Sequence, residues 1–288
     1  MGPAPEGLAG ERRCAALPAP GADDRRVASV IDAHAHLTDR RFADDLPDVL
    51  DRARKAGVDR ILTAGEDVAS SAEAIALARR YEGVRAAVGV HPHRAAAWDA
   101  ETVARITELA GDERVVAIGE IGMDFSGRSA PPDLQEKALR GQLAVASLLD
   151  LPVVLHVRDS GERVRAILRD GPEVRGMVHC YSEGPAEIEE WLGLGLLISF
   201  AGTVTYPGSE RLRDAAILVP ADRLLAETDA PYLAPQNARG RRNEPIYVAA
   251  THAALAHDRR EDLGELVARI AENARSLFGT RWEPGSPT

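Results

Sequence analysis

Eight short apolar runs, each followed by an amphipathic segment, recur along this chain from residue 27 onward. The runs fall at 28–33, 58–64, 84–90, 114–119, 152–157, 174–180, 195–200 and 222–227, and their Val, Ile, Leu and Ala content reads as buried strand. Helical spacing of apolar residues fills the stretches between them, among them Ala43–Ala56, Asp67–Arg79 and Asp133–Leu149. Two further helices, Asn243–Ala256 and Asp262–Phe278, follow the last run. Strand-then-helix units in succession demand a parallel sheet, and eight of them predict an α/β fold, a closed (β/α)8 TIM barrel, rather than an open doubly wound sheet. The length, 288 residues, suits one such barrel and leaves no separate second domain. The expected organisation is a disordered N-terminal extension over 1–26, a barrel over 27–279 and a C-terminal tail over 280–288.

Aromatic residues make up only 4% of the chain, so aliphatic side chains must fill the core. The net charge of −10 argues against a surface that coats nucleic acid broadly, but leaves room for a local site where cations supply the positive charge. The two cysteines, Cys14 and Cys180, lie far apart and make no disulfide framework, as expected for a cytoplasmic protein. No apolar run reaches the roughly 18 residues of a membrane helix, and no apolar core follows Arg12-Arg13 as an export signal would require. A monomer is the default expectation.

Ligand-type side chains collect at the C-terminal ends of the predicted strands. Strand 1 ends in Asp32-Ala33-His34-Ala35-His36, where the alternation of a strand projects both histidines to one side. Strand 3 ends in His91-Pro92-His93, strand 4 in Gly119-Glu120, strand 5 in His156-Val157-Arg158, strand 6 in His179-Cys180 and strand 8 in Glu227-Thr228-Asp229. Each histidine alone has an ordinary explanation as a hydrogen-bonded core residue. In a barrel, however, these ends converge on one mouth, and six of the eight histidines are in this set. Four histidines and two carboxylates suit divalent Mg, Mn, Zn, Ni or Co. Six ligands exceed the needs of one tetrahedral ion with an open position, and match two ions about 3.5–4 Å apart. Glu120 is the natural bridge, one oxygen to each ion. The expected partition is His34, His36, Glu120 and Asp229 around one ion, and Glu120, His156 and His179 around the other.

These motifs, with Gly122-Met123-Asp124, Leu151-Pro152, Tyr181-Ser182, Ala230-Pro231-Tyr232-Leu233 and Arg239–Pro245, run in one order from about residue 30 to 278. In that order the chain resembles the TatD-type metal-dependent deoxyribonucleases, a branch of the amidohydrolase-like hydrolases. The resemblance implies a barrel, two divalent metals and phosphodiester hydrolysis. The chain departs from it twice. Ser126-Gly127-Arg128-Ser129 stands where an Arg-Asp or Arg-Asn pair is expected before a Ser-Pro, so that the arginine is displaced or replaced, and Glu183 is inserted before Gly184. Both departures are expected near the mouth and bear on substrate preference.

The resulting expectation is an exonuclease-like deoxyribonuclease acting on single-stranded DNA ends, with water activated as metal-bound hydroxide. Asp229 is the expected general base and Glu120 the second catalytic carboxylate. His91, His93 and Arg158 are the expected phosphate contacts, Arg158 through its two-pronged guanidinium. Asp32 and Glu227 are expected to orient other groups, and Asn243 to cap a helix. Two other metallohydrolase chemistries compete: an ester such as a misacylated transfer RNA, and a C–N bond. Many amidohydrolases bridge their metals with a modified lysine at the end of strand 4. Glu120 stands there instead, and Lys55 and Lys137 are read on helices. A non-enzymatic binding protein with the same fold is disfavoured by the complete ligand set.

Overall fold

The computed structural model describes residues 29–127 and 130–283. Its eight strands are β1 (Val30–Ala35), β2 (Val58–Ala64), β3 (Val84–Val88), β4 (Val115–Asp124), β5 (Val153–Arg158), β6 (Gly176–Val178), β7 (Leu197–Phe200) and β8 (Leu224–Ala226). They form one parallel sheet in the order β1 to β8. The seam between β8 and β1 closes through a bridge between Ala35 and Ala230, where the His36 amide donates to the Ala230 carbonyl at 2.7 Å. This is the expected TIM barrel.

Nine helices surround it among the described residues: α1 (Leu46–Lys55), α2 (Val68–Arg80), α3 (Ala100–Ala110), α4 (Pro132–Leu149), α5 (Gly161–Asp170), α6 (Ile188–Gly193), α7 (Glu210–Leu218), α8 (Val248–Arg259) and α9 (Leu263–Phe278). They bury one stripe each; in α1 the stripe is Leu46, Val49 and Ala53. Side-chain caps start several of them. Asp67, Asp99 and Asp262 accept from the amides of Ser70, Thr102 and Glu265 and satisfy donors the helix cannot. None of the helices is long and apolar enough to cross a membrane, among the described residues.

Three expected boundaries move. β4 does not stop at Gly119 but pairs with β5 as far as Asp124–Arg158, so Glu120 lies inside a strand. The glycines of this stretch allow close packing. A methyl group on Gly122 would run into the His156 carbonyl, and one on Gly119 into Val154. α8 begins at Val248 rather than Asn243, because Pro245 opens a separate short turn. The chain after residue 279 is packed further than a tail would be: Gly279–Trp282 is a 3-10 turn, Trp282 is buried against Phe278, and the buried Arg85 donates to the carbonyl oxygens of Arg281 and Glu283. The extension over 1–26, the residues beyond 283 and the Arg128-Ser129 departure lie outside the described residues.

One buried amide fixes the approach to the mouth from α4. Gln142 accepts from the Val90 amide at 2.6 Å and donates to the Val90 carbonyl at 3.0 Å, one residue before His91. Gln142→Leu keeps the volume but strands both backbone groups, so it destabilises the fold by about 2–4 kcal/mol in urea titration. A change below about 0.5 kcal/mol would show that Val90 finds other partners.

Candidate metal centre

The barrel brings His34, His36, Glu120, His156, His179 and Asp229 together, although they come from five different strands or strand ends. His34 is the penultimate residue of β1, with its side chain inward, and His36 directly follows the strand. Asp229 is placed by the seam. Its backbone adopts φ 57°, in the left-handed region that Asp tolerates better than most residues. Its amide donates to the His34 carbonyl at 3.0 Å. Asp32, fully buried, accepts from the Thr228 amide at 2.8 Å and its hydroxyl at 2.6 Å, which ties β1 to β8 beside the site.

Glu120 lies at the centre and is 1% exposed. Its two oxygens face different groups. Oε2 is 3.4 Å from His34 Nε2 and 3.3 Å from His36 Nε2, and His36 Nε2 is 3.4 Å from Asp229 Oδ1. Oε1 is 2.6 Å from His156 Nδ1, 2.8 Å from His179 Nε2 and 3.4 Å from His91 Nε2. Oε2 is buried with no hydrogen-bond partner. A carboxylate oxygen left so among imidazole nitrogens is what a cation would satisfy. Ligand atoms at about 2.1 Å from a common ion stand roughly 3.0–3.4 Å apart, the spacing found around Oε2. The donor set and its geometry therefore fit divalent metal.

Carboxylates behind the histidines fix two of the rings. His179 Nδ1 is 3.1 Å from Glu227 Oε1, leaving Nε2 for the cluster, and His156 Nε2 is 3.3 Å from Asp124 Oδ2, leaving Nδ1. Such partners orient a ligand ring and raise its basicity. The Nδ1 atoms of His34 and His36 have no hydrogen-bond partner among the described residues. Burial pushes the Glu120 carboxyl up, but the His179, His91 and His34 imidazoles outweigh it and hold the group well below the ordinary range. Asp229 is likewise pushed up by burial and brought below its usual value by His36, His179 and His34. Both carboxylates are thus ionised at neutral pH, as ligands must be.

His91 differs from the other histidines. It belongs to a metal-capable group with Glu120 and His156, yet its Nδ1 accepts from the His93 amide at 3.1 Å. Burial pushes its pKa down to about 4, so the ring is neutral and its single proton sits on Nε2. That nitrogen is a donor aimed into the site, suited to a phosphoryl oxygen. His93 is half exposed and lies 3.1 Å from Asp124 Oδ2. Arg158 is exposed at the end of β5, and its guanidinium makes no hydrogen bond or ion pair among the described residues.

Several residues have roles the sequence left unassigned or misassigned. Asn243 caps no helix. It is buried, donates to the carbonyls of Thr228 at 2.8 Å and Tyr232 at 2.6 Å, and so braces the loop that carries Asp229. The inserted Glu183 turns into the outer layer. It accepts from Arg165 at 2.9 Å and from the Trp191 indole at 2.6 Å, against the start of α5. The groove between Arg54, Arg60 and Tyr81 lies at the N-terminal ends of β2 and β3, on the face opposite the histidines.

Comparison with known proteins gives one consistent result. A family model described as TatD related DNase matches residues 31–279. A protein of Erwinia amylovora named 3'-5' ssDNA/RNA exonuclease TatD is 41% identical over 258 residues, covering 87% of this chain and 100% of that one. A protein of Bacillus subtilis named uncharacterized metal-dependent hydrolase YabD is 37% identical, over 86% of this chain and 98% of its own length. The crystal structure of YJJV, a TatD homolog from Escherichia coli K12, superposes with a TM-score of 0.80 at 32% identity, over 88% of this chain and 98% of that one.

Proposed function

The chain belongs to the TatD-related DNase family, and from that premise we propose that it is a divalent-metal-dependent exonuclease that hydrolyses phosphodiester bonds at single-stranded DNA ends. Two ions, drawn from Mg, Mn, Zn, Ni or Co, would be held at Glu120. His34, His36 and Asp229 complete one set, and His156 and His179 the other. The observation that carries this reading is the split of the Glu120 carboxylate, with each oxygen facing a separate group of imidazoles. Metals bound there supply Lewis acidity, which eases deprotonation of water and neutralises charge on phosphoryl oxygens.

The remaining work falls to side chains. Asp229 takes the proton of the attacking water as the water oxygen bonds to phosphorus and the bond to the leaving oxygen breaks, and that proton then passes to the leaving oxygen. His91 donates from Nε2 to a phosphoryl oxygen, and Arg158 grips a second through its fork. His93 supports His91 through its backbone amide and lies at the rim. Glu120 in the bridging position, with the two lysines of the chain, Lys55 and Lys137, on α1 and α4, favours this reading over C–N hydrolysis. The unpaired thiol of Cys180 accords with a cytoplasmic enzyme, and one chain supplies every proposed ligand, so a monomer suffices.

An end-labelled single-stranded DNA digest tests the proposal. Purified protein with Mg or Mn releases mononucleotides stepwise from an end. A chelator abolishes this, and added divalent metal restores it. Equal digestion in chelator, or hydrolysis of cyclic amides with none of DNA, would overturn the reading.

A further inference from the structure

The chain has four Phe, five Tyr and three Trp, and the two most exposed aromatic rings among the described residues are both at the metal-bearing mouth. Phe125, 37% exposed, directly follows Asp124 at the end of β4. Tyr232, 40% exposed, stands three residues after Asp229. β4 and β8 are four strands apart in a closed order of eight, so the two residues stand on opposite sides of the barrel's C-terminal end, the end that carries the Glu120 cluster. In an aromatic-poor protein, the core would be expected to claim such rings first.

The Tyr232 ring is built into cationic surroundings. The Arg41 guanidinium lies over the Tyr232 ring, 4.0 Å from its centroid. Asp39 fixes this stack by accepting from Arg41 Nε at 2.9 Å and Nη2 at 2.7 Å, and from the Tyr232 hydroxyl at 3.1 Å. The His36 ring stands edge-on to Tyr232, with centroids 5.7 Å apart, so this stacked unit adjoins the metal centre directly. On the other side, the Phe125 amide donates to the Arg158 carbonyl at 2.9 Å, which ties the backbone under that ring to the end of β5.

We infer that Phe125 and the Tyr232–Arg41 pair are two base-stacking subsites, each holding one unpaired base on either side of the phosphate being cleaved. The inference rests on the nuclease reading above and adds to it the feature that selects single strands. A ring stacked face to face on a base needs that base out of its duplex, and stacking tolerates any base because every base has a π face. Arg41 adds cation–π attraction and a planar surface of its own. No basic coat is needed, which reconciles nucleic-acid binding with a net charge of −10.

The test uses oligothymidylates carrying one abasic nucleotide at the terminal or the penultimate position, digested by the metal-loaded protein. The wild type prefers the intact end over either abasic end by about 10-fold or more in kcat/KM, mainly through KM. Tyr232→Ala brings that ratio close to one at one position, and Phe125→Ala does so at the other. Tyr232→Phe retains the ring and keeps the wild-type ratio. If either alanine variant keeps both wild-type ratios, or lowers intact and abasic rates equally, the rings only shape the mouth and the inference fails. If the wild type digests neither intact nor abasic strands, the nuclease reading fails instead.

Discussion

Glu120→Gln lowers turnover on single-stranded DNA by at least about 1,000-fold, while the far-ultraviolet spectrum and urea midpoint stay close to wild type. The size follows from what the carboxylate does. It carries the one negative charge shared by both imidazole groups, with Oε2 3.3–3.4 Å from His36 and His34 and Oε1 2.6 Å from His156. Glutamine keeps the shape but loses the charge and one acceptor oxygen. Metal-assisted charge neutralisation is worth several kcal/mol of barrier, and each 1.4 kcal/mol is about tenfold in rate. The fold survives because Glu120 makes its contacts with other site side chains, whereas β4 is held by its backbone pairing with β5. Turnover within tenfold of wild type would remove Glu120 from the centre of the account.

Asp229→Asn lowers kcat by about 100- to 10,000-fold, the range expected for loss of a general base, with a much smaller effect on KM. Asparagine cannot take a proton near neutral pH, yet it can still fill the left-handed turn at φ 57° that the position requires. Backbone contacts from Asp229 to His34 and from Tyr232 to Asp229 need no carboxylate, so the loop keeps its path. Steady-state kinetics on a short oligonucleotide separates the two parameters. A variant that raises KM and keeps kcat would make Asp229 a binding residue only.

Much of this site is legible in the sequence because a barrel converts position into proximity. Residues at the C-terminal ends of β1, β5 and β8 are far apart in sequence and adjacent in space, so recognising the strand ends is enough to gather His34, His36, His156 and Asp229. Local reading fails where a long-range contact decides. The apolar run stops at Gly119, but the close approach of β5 at Gly119 and Gly122 carries the strand on to Asp124. Asn243 precedes a proline and looks like a cap, but its amide is drawn to the carbonyls of Thr228 and Tyr232. Glu183 looks like an intrusion at the mouth, but Arg165 and Trp191 pull it outward. The proton on His91 is set by the His93 amide, a contact that no spacing reveals. Tyr232 lies in the Ala230–Leu233 motif and Phe125 directly follows Gly122-Met123-Asp124, but it is their exposure that singles them out.

The central claim is that one carboxylate joins two metal sites. It is tested most directly by counting ions. Metal-stripped protein is titrated to saturation with Mn or Zn, cleared of excess ion and analysed for metal per chain. Two ions per wild-type chain are expected, and fewer in Glu120→Gln. A saturated wild type that holds no more than one ion per chain would contradict it.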